Sequence, residues 1–432
     1  MTRPPPDRRR VVVTGLGAVS ALGIGTAALW QGLIEGRTGV SRITSFDASE
    51  CQVQIAAEAP AIPSEVLSSE HCGLGQRLRQ LLAALTEALD QAAFSDRSAE
   101  RTGVAVAGGE LNARDLVALV ADTAEDGQIA PERLAEAVAS QGSPGFDAWH
   151  HDYACAKTAE VVGATGPQLS LSAACASSTV AIGEAARLIS CGDADTMVVG
   201  GSDCRVTPLI MAQYARLGAL CLDSNDEPER AARPFDVSRC GFVMGEGAGA
   251  MVLESLESAR SRDAVILGEI LGYGSSCDAY RVTDPHPDGR GAAIAIRAAL
   301  MDAGCEPSDI DCVNAHGTST KANDHAEALA IHAALGERAS TLPVSSFKAA
   351  IGHTIQSAGI LETIGALQAS RAGLMPATRN TTSVDPAFAL NVVMGHALEG
   401  SYRRTLKNSF GFGGQNACLV LGHWSTHGHC DV

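Results

Sequence analysis

The sequence is poor in aromatic residues and in positive charge, and it has no long apolar run. Phe, Trp and Tyr make up 4% of its 432 residues, which argues against base stacking on side chains as its main business. Lys and Arg number 32 against 49 Asp and Glu, for a net charge of −17. That balance argues against nucleic-acid binding, and an acidic partner would need a local basic patch set against an unfavourable global field. No segment holds the ~20 uninterrupted apolar residues of a membrane span. The 13 cysteines include no CxxC pair, so neither a zinc ribbon nor a disulfide framework is expected. Scattered thiols imply a reducing compartment, hence a cytoplasmic protein.

What is present is globular: 46% hydrophobic, 19% charged, and rich in Gly and Ala. The length exceeds one ordinary core and fits two or three structural units. The start, MTRPPPDRRRVVVTGLG, superficially mimics an export leader. VVVTGLG reads better as a buried first strand followed by a Gly turn. Further on, apolar runs near 104–107, 168–172, 196–200, 248–253 and 264–273 read as strands, with helices over 78–93 and 178–190. After Tyr273 the alternation restarts, with strands near 310–315, 343–345, 404–409 and 417–422 and helices near 292–303, 324–335 and 357–372. The pattern predicts an α/β protein with sheets covered on both faces. It divides into an arm (1–9), one half (10–265) carrying a helix-prone cap (108–150), a second half (266–424) and a tail (425–432). No residue-level repeat accompanies the apparent duplication.

Four stretches carry candidate chemistry. In LSLSAACASSTVAIG, Cys175 falls between a strand and a helix. A helix N-terminus there would lower its pKa and favour thiolate, although an inert core thiol fits the same residues. In VNAHGTST, His316 follows a short strand, where α/β sites form; a structural histidine is the alternative. In SSFKAAIGHTIQSAG, Lys348 and His353 lie close together, and a helix start near His353 would disfavour imidazolium. In NSFGFGGQNA, the glycines could aim a backbone N–H at a developing oxyanion, or simply make a turn. GEGAG (245–249) lacks dinucleotide-site spacing and reads as close packing.

Together these stretches resemble the β-ketoacyl-acyl carrier protein synthases, the elongating enzymes of fatty acid and type II polyketide synthesis. RRVVVTGLGAVSALG, ACASS, RPFDVSRCGFVMGEGAG, VNAHGTST, FKAAIGH and NSFGFGG occur in that family's order. The resemblance covers about residues 9–424 apart from 108–150. It implies a thiolase fold, five-layered αβαβα with two similar halves, usually dimeric. It implies that Cys175 carries the acyl group as a thioester, while His316 and His353 promote decarboxylation of a malonyl unit and stabilise the enolate. Cys175 and Phe412 would supply the oxyanion-hole N–H groups, and Phe412 would gate the acyl pocket. Lys348 would tune the electrostatics with Glu362 as partner. Thr318 and Thr320 would touch the pantetheine arm, with Phe410 beside the substrate and Asn408 in support. No metal or redox cofactor is implied, since the substrate brings its own phosphopantetheine. The implied partners are acyl carrier protein and either a second copy or a chain-length-factor-like subunit.

The chain also departs from the family. AGGELNARD replaces a Gly-rich stretch and could put Glu110 near the acyl pocket. DAYRVT places Arg281 where the family often has His. CLDSNDEPE is acidic near the expected carrier dock, leaving Arg77, Arg79, Arg230 and Arg233 as a conceivable basic patch. These departures favour a specialised pathway. A non-elongating Cys-dependent acyltransferase and a silent chain-length partner are the competing readings. The second requires Cys175 to be idle.

Overall fold

The structure is a computed structural model that describes residues 8–67, 71, 74–95, 97–108, 119–125, 127–147, 150 and 152–425. Glu110 lies outside the described residues, as do most of the arm, much of the cap's first part and all but the first residue of the tail.

Ten strands carry the two halves. The first half contributes β1 (Val11–Ser20), β2 (Thr102–Ala107), β3 (Gln168–Leu171), β4 (Thr196–Asp203) and β5 (Gly247–Ser255). The second contributes β6 (Gly268–Cys277), β7 (Cys312–Asn314), β8 (Pro343–Ser345), β9 (Arg404–Gly411) and β10 (Gln415–Gly422). Within each half the spatial order is first, fifth, fourth, second, third. The pairings match too: antiparallel, antiparallel, parallel, parallel. The halves join edge to edge where Val11–Val13 of β1 pair with Gly268–Ile270 of β6, and two short strands, Gly23–Ile24 beside β1 and Asn391–Val392 beside β8, bring the single sheet to 12 strands. The expected duplication is therefore one of topology.

The helices fall into three layers around this folded sheet. Helix α1 (Gln76–Gln91) covers the outer face of the first half. Helices α2 (Ser177–Ser190) and α5 (Ala358–Ala372) lie between the halves, and α3 (Arg290–Ala303) and α4 (Lys321–Leu335) cover the far side. This is the αβαβα arrangement of the thiolase fold. Strands buried on both faces read as continuous apolar runs, and β1, β4 and β5 are buried at every position. Helix α5 is likewise buried on all sides from Ala358 to Leu367. A charge on it, such as Glu362, must find its partners inside the protein.

β1 runs through the glycines that the sequence suggests as a turn. A Cβ on Gly15 would meet the Ala88 carbonyl oxygen at 2.1 Å, and one on Gly17 the Ala84 oxygen at 1.8 Å. The missing side chains let α1 lie directly on the strand, and the irregularity is limited to a register shift between Val13 and Gly15. Close packing is also what GEGAG provides: a Cβ on Gly249 would meet Ile360 at 2.7 Å. The cap holds a two-residue hairpin (Ala124–Glu125 with Gln128–Ile129) and a helix over Pro131–Asp147. One cysteine pair departs from expectation. Cys221 and Cys240 form a disulfide, with Cα atoms 5.0 Å apart, because the backbone bridge between Leu220 and Phe242 brings their segments together.

Asp236, in the RPFD stretch, fastens two loops. Its carboxylate accepts from the Ser238 N–H (2.8 Å) and hydroxyl (2.6 Å), and from the Thr382 (2.8 Å) and Ser383 (2.9 Å) amides. Burial alone would raise its pKa, but these bonds outweigh it and bring it down to about 2. A depressed carboxylate stabilises above its unfolded pKa and loses that contribution as pH falls through the folded value. Asp236→Asn is therefore expected to cost about 2 kcal/mol at pH 7. Thermal unfolding of both proteins should converge as pH falls from about 4 towards 2; a gap that stays constant would contradict the assignment.

Candidate active site

Cys175 sits in the 3₁₀ turn Ala174–Ala176, between β3 and α2. Ala174 has φ +47°, an uncommon conformation for a residue with a side chain, which costs of order 1 kcal/mol. The turn is held by the Ser177 hydroxyl, which accepts from the Ala173 amide (2.8 Å) and donates to the Ala174 carbonyl (2.6 Å). Gly411, from the other half, lies against it: a Cβ there would stand 2.7 Å from the Ala173 oxygen and 3.2 Å from the Cys175 nitrogen. That contact brings the FGFGG loop over the thiol, and the Phe412 amide donates to the sulfur. Gly413 and Gly414 have φ of +79° and +76°, which a side chain would resist.

The resting sulfur is a thiol, contrary to the helix-dipole expectation. Burial pushes Cys175 up to about 11; Lys348, the Phe412 amide and Arg205 pull the other way without winning. Attack thus requires that the proton leave as the bond forms.

His316 follows β7, and its loop is pinned from α4. Glu327 accepts the His316 (2.8 Å) and Gly317 (2.7 Å) amides, while Asp324 accepts those of Thr318 (3.0 Å) and Ser319 (3.2 Å). Asn408 reaches the same cluster by donating to Glu327 (3.1 Å). His353 is fixed by its backbone, donating to Val243 O (2.7 Å) and accepting from Gly245 N (2.9 Å). The two imidazole rings stand 5.3 Å apart at 83°, with Phe410 5.8 Å from His316 and Phe242 5.1 Å from His353. Both are 2% exposed. Burial first, then the positive charge of Lys348, holds both well below the ordinary histidine value. They are neutral, as expected, though the chief cause is desolvation rather than a helix terminus.

Lys348 sits at the hinge of this arrangement. Its ammonium donates to the His316 carbonyl (2.6 Å), lies 3.3 Å from His316 Nδ1 and pairs with Glu362. An ammonium can only donate, so Nδ1 accepts and the ring proton of His316 resides on Nε2.

A cavity of about 370 Å³ joins these groups to the surface. Cys175, His316, His353, Phe410 and Phe412 line its depth, and Thr318, Thr320, Lys321 and Asn323 its course outward. Thr318 and Thr320 share a 2.9 Å hydroxyl contact, and Thr320 also caps α4. Phe412 is half-buried and stacks on Tyr214 at 6.2 Å. Arg281 is not brought in. It is exposed, pairs with Asp284 (3.2 Å) and lies over Tyr280, leaving Asp284 to line the cavity. Nor do the four arginines make one exposed patch. Arg79 donates to the Ile62 carbonyl, Arg77 lies against Gly108, Arg233 contacts the Cys240 sulfur, and only Arg230 is exposed, beside Glu227.

The sequence reading passes over Asp324, Glu327, Tyr214, Phe242 and Lys407. The acidic pair at i and i+3 on α4 was a usable signal, because it faces the HGTST loop from the next helix. Lys407 gave no such signal, standing among the polar residues of RTLKNSFG.

A buried thiol from one half and two imidazoles from its topological twin, converging on one cavity, define a thiolase-fold acyltransferase site. The chain belongs to the beta-ketoacyl synthase family: the family model for the N-terminal domain matches residues 8–259 and that for the C-terminal domain residues 267–382. It is 38% identical to 3-oxoacyl-acyl-carrier-protein synthase 2 of Coxiella burnetii over 96% of this chain and 99% of that protein. To the enzyme of the same name from Synechocystis it is 38% identical, over 96% and 98%. Among solved structures, a type II polyketide ketosynthase in complex with its acyl carrier protein aligns with TM-score 0.88 at 30% identity, covering 97% of this chain and 100% of that one. The ishigamide ketosynthase/chain length factor aligns at 0.86 and 33%, with 97% and 100% coverage. The chain is accordingly a condensing enzyme of the ketosynthase type. No helix among the described residues is long and apolar enough to cross a membrane.

Proposed function

We propose that the chain catalyses a decarboxylating Claisen condensation between an acyl thioester held on Cys175 and malonyl-acyl carrier protein. In the first half-reaction, Cys175 Sγ attacks the acyl thioester and the carrier's thiol leaves with a proton. The Cys175 and Phe412 amides receive the oxyanion. In the second, the malonyl unit loses carbon dioxide, and its electron pair becomes an enolate held by His316 and His353. The enolate carbon attacks the acyl carbonyl, the bond to Cys175 breaks with the sulfur leaving as thiolate, a proton from solvent restores the thiol, and a β-ketoacyl-acyl carrier protein departs. Thr318 and Thr320 border the pantetheine arm, so the substrate supplies the only prosthetic group the scheme invokes.

The observation that carries this reading is the neutral imidazole pair 5.3 Å apart beside the thiol. Simple acyl transfer needs one base; an enolate oxygen is better served by two neutral donors. Acyl carrier protein as partner is supported by the solved complex of a related ketosynthase. A second subunit, either a copy or a chain-length-factor-like protein, fits against β3, the free edge of the first half's sheet among the described residues. Polyketide ketosynthases among the structural neighbours support a specialised pathway.

The test is incubation with acyl- and malonyl-loaded carrier protein, following carbon dioxide and intact mass. One carbon dioxide per β-ketoacyl product, with an acyl adduct on Cys175, is the expected result. An adduct without decarboxylation would mean non-elongating transfer; no adduct would leave only the partner role.

A further inference from the structure

Glu362 is shared by two lysines. Lys348 pairs with one carboxylate oxygen, and Lys407 Nζ lies 2.9 Å from the other. All three residues are buried, with Lys407 and Glu362 0% exposed. Lys407 arrives there by strand alternation. On β9, Asn408 points to α4 and reaches Glu327, whereas Lys407 and Ser409 point into the layer of α2 and α5. There the Lys407 ammonium also donates to the Asn408 carbonyl (2.8 Å) and to the Ser409 hydroxyl, which in turn bonds Thr179 of α2 at 2.7 Å.

The stability of the core does not call for this lysine. A buried ion pair rarely outperforms apolar residues of the same volume, and here one carboxylate faces two ammoniums. Among the described residues no other carboxylate pairs with either lysine. Cys418, across β10, is kept a neutral thiol by burial. Glu327 lies on the opposite side of β9 and is satisfied by two amides and Asn408. Arg205, beside Cys175 and His353, is matched by Asp203 through a pair of bonds at 2.7 and 2.8 Å.

We propose that Lys407 is a positioning residue for the condensation: with Lys348 it shares a single carboxylate, Glu362, and the excess positive charge of that triad behind the histidine pair sets the acid limit of the reaction. The inference rests on the condensing function proposed above. A positive charge on that side of the histidines opposes imidazolium and favours the enolate and the departing Cys175 thiolate. Its direction on both histidines is downward, in company with Lys348. Burial pulls Lys407's own pKa down and the Glu362 carboxylate opposes that pull.

The test compares the parent with Lys407→Met, Lys407→Gln and Lys407→Arg, each checked for folding by circular dichroism. The pH profile of kcat/KM for decarboxylation is read alongside ¹⁵N spectra of the histidine rings. The neutral variants should move the acid limb, and the His316 and His353 ring titrations, upward by about one pH unit. Lys407→Arg should leave both in place. The KM for the acyl donor should not change, since Lys407 does not line the cavity. An acid limb that superimposes on the parent's in either folded neutral variant overturns the proposal, as does an equal shift in Lys407→Arg. If the parent itself makes no β-ketoacyl product, the condensing function fails instead, and the ring titrations still decide whether Lys407 holds the histidines neutral.

Discussion

Cys175→Ala is expected to lose the covalent acyl adduct and to reduce β-ketoacyl formation by about 10³-fold or more, the scale of losing a nucleophile. The buried site accepts the change easily, since alanine retains the turn and removes one sulfur from a place already crowded by Gly411 and Phe412. Stability should move little. Carbon dioxide release from malonyl-acyl carrier protein should persist, because His316 and His353 are held by Glu327, Lys348 and the Val243 backbone, not by the thiol. Intact-mass spectrometry and a carbon dioxide assay on one sample separate the two activities. An alanine variant that still elongates would place the nucleophile elsewhere. One that loses decarboxylation as well would mean that the thiol helps to bind the malonyl unit.

The mirror-image result is expected from the histidines. His353→Ala and His316→Ala should each lower decarboxylation by about 10²–10³-fold, the usual cost of removing one donor to a developing oxyanion. Acylation of Cys175 should survive within about tenfold, because the Phe412 amide on the sulfur stays in place. The double variant should fall short of the product of the single losses, since the two rings serve one enolate. His316→Ala has a further consequence. It leaves the Lys348 ammonium without its Nδ1 contact, though the Glu362 pair and the 2.6 Å bond to the residue 316 carbonyl remain. A loss confined to acylation, with decarboxylation intact, would reverse the proposed roles.

Much of this was legible in the sequence because the residues involved report on backbone geometry. Small residues around Cys175 announce a tight turn, and FGFGG a loop that no regular element can hold. Element order followed from apolar runs. The Gly15 and Gly17 positions misled because a glycine vacates space for a helix as readily as it allows a turn. Only the packing of α1 distinguishes these uses. The state of Cys175 was misjudged for a related reason. Position at a helix start is local, while the desolvation that outweighs it depends on strands and loops from the far half. Arg281 was drawn in by its place in the chain and excluded by an ordinary surface pair with Asp284. Lys407 illustrates the limit most clearly. A lysine in a short strand reads as an exposed position until both faces of that strand are known to be covered. The shared strand order of the halves left no residue-level trace, since a topology constrains where apolar runs fall and not which residues compose them.

The contact between Gly411 and the Cys175 turn also fixes when the catalyst comes into being. The ribosome delivers the thiol long before Lys348, His353 and the FGFGG loop, and until that loop closes the sulfur has neither its amide donor nor its charged neighbour. A nascent or truncated chain therefore carries an unremarkable cysteine. The sulfur gains the Phe412 amide only when the hairpin of β9 and β10 is laid against the first half, so docking of the two halves, and not the turn alone, completes the surroundings of the thiol.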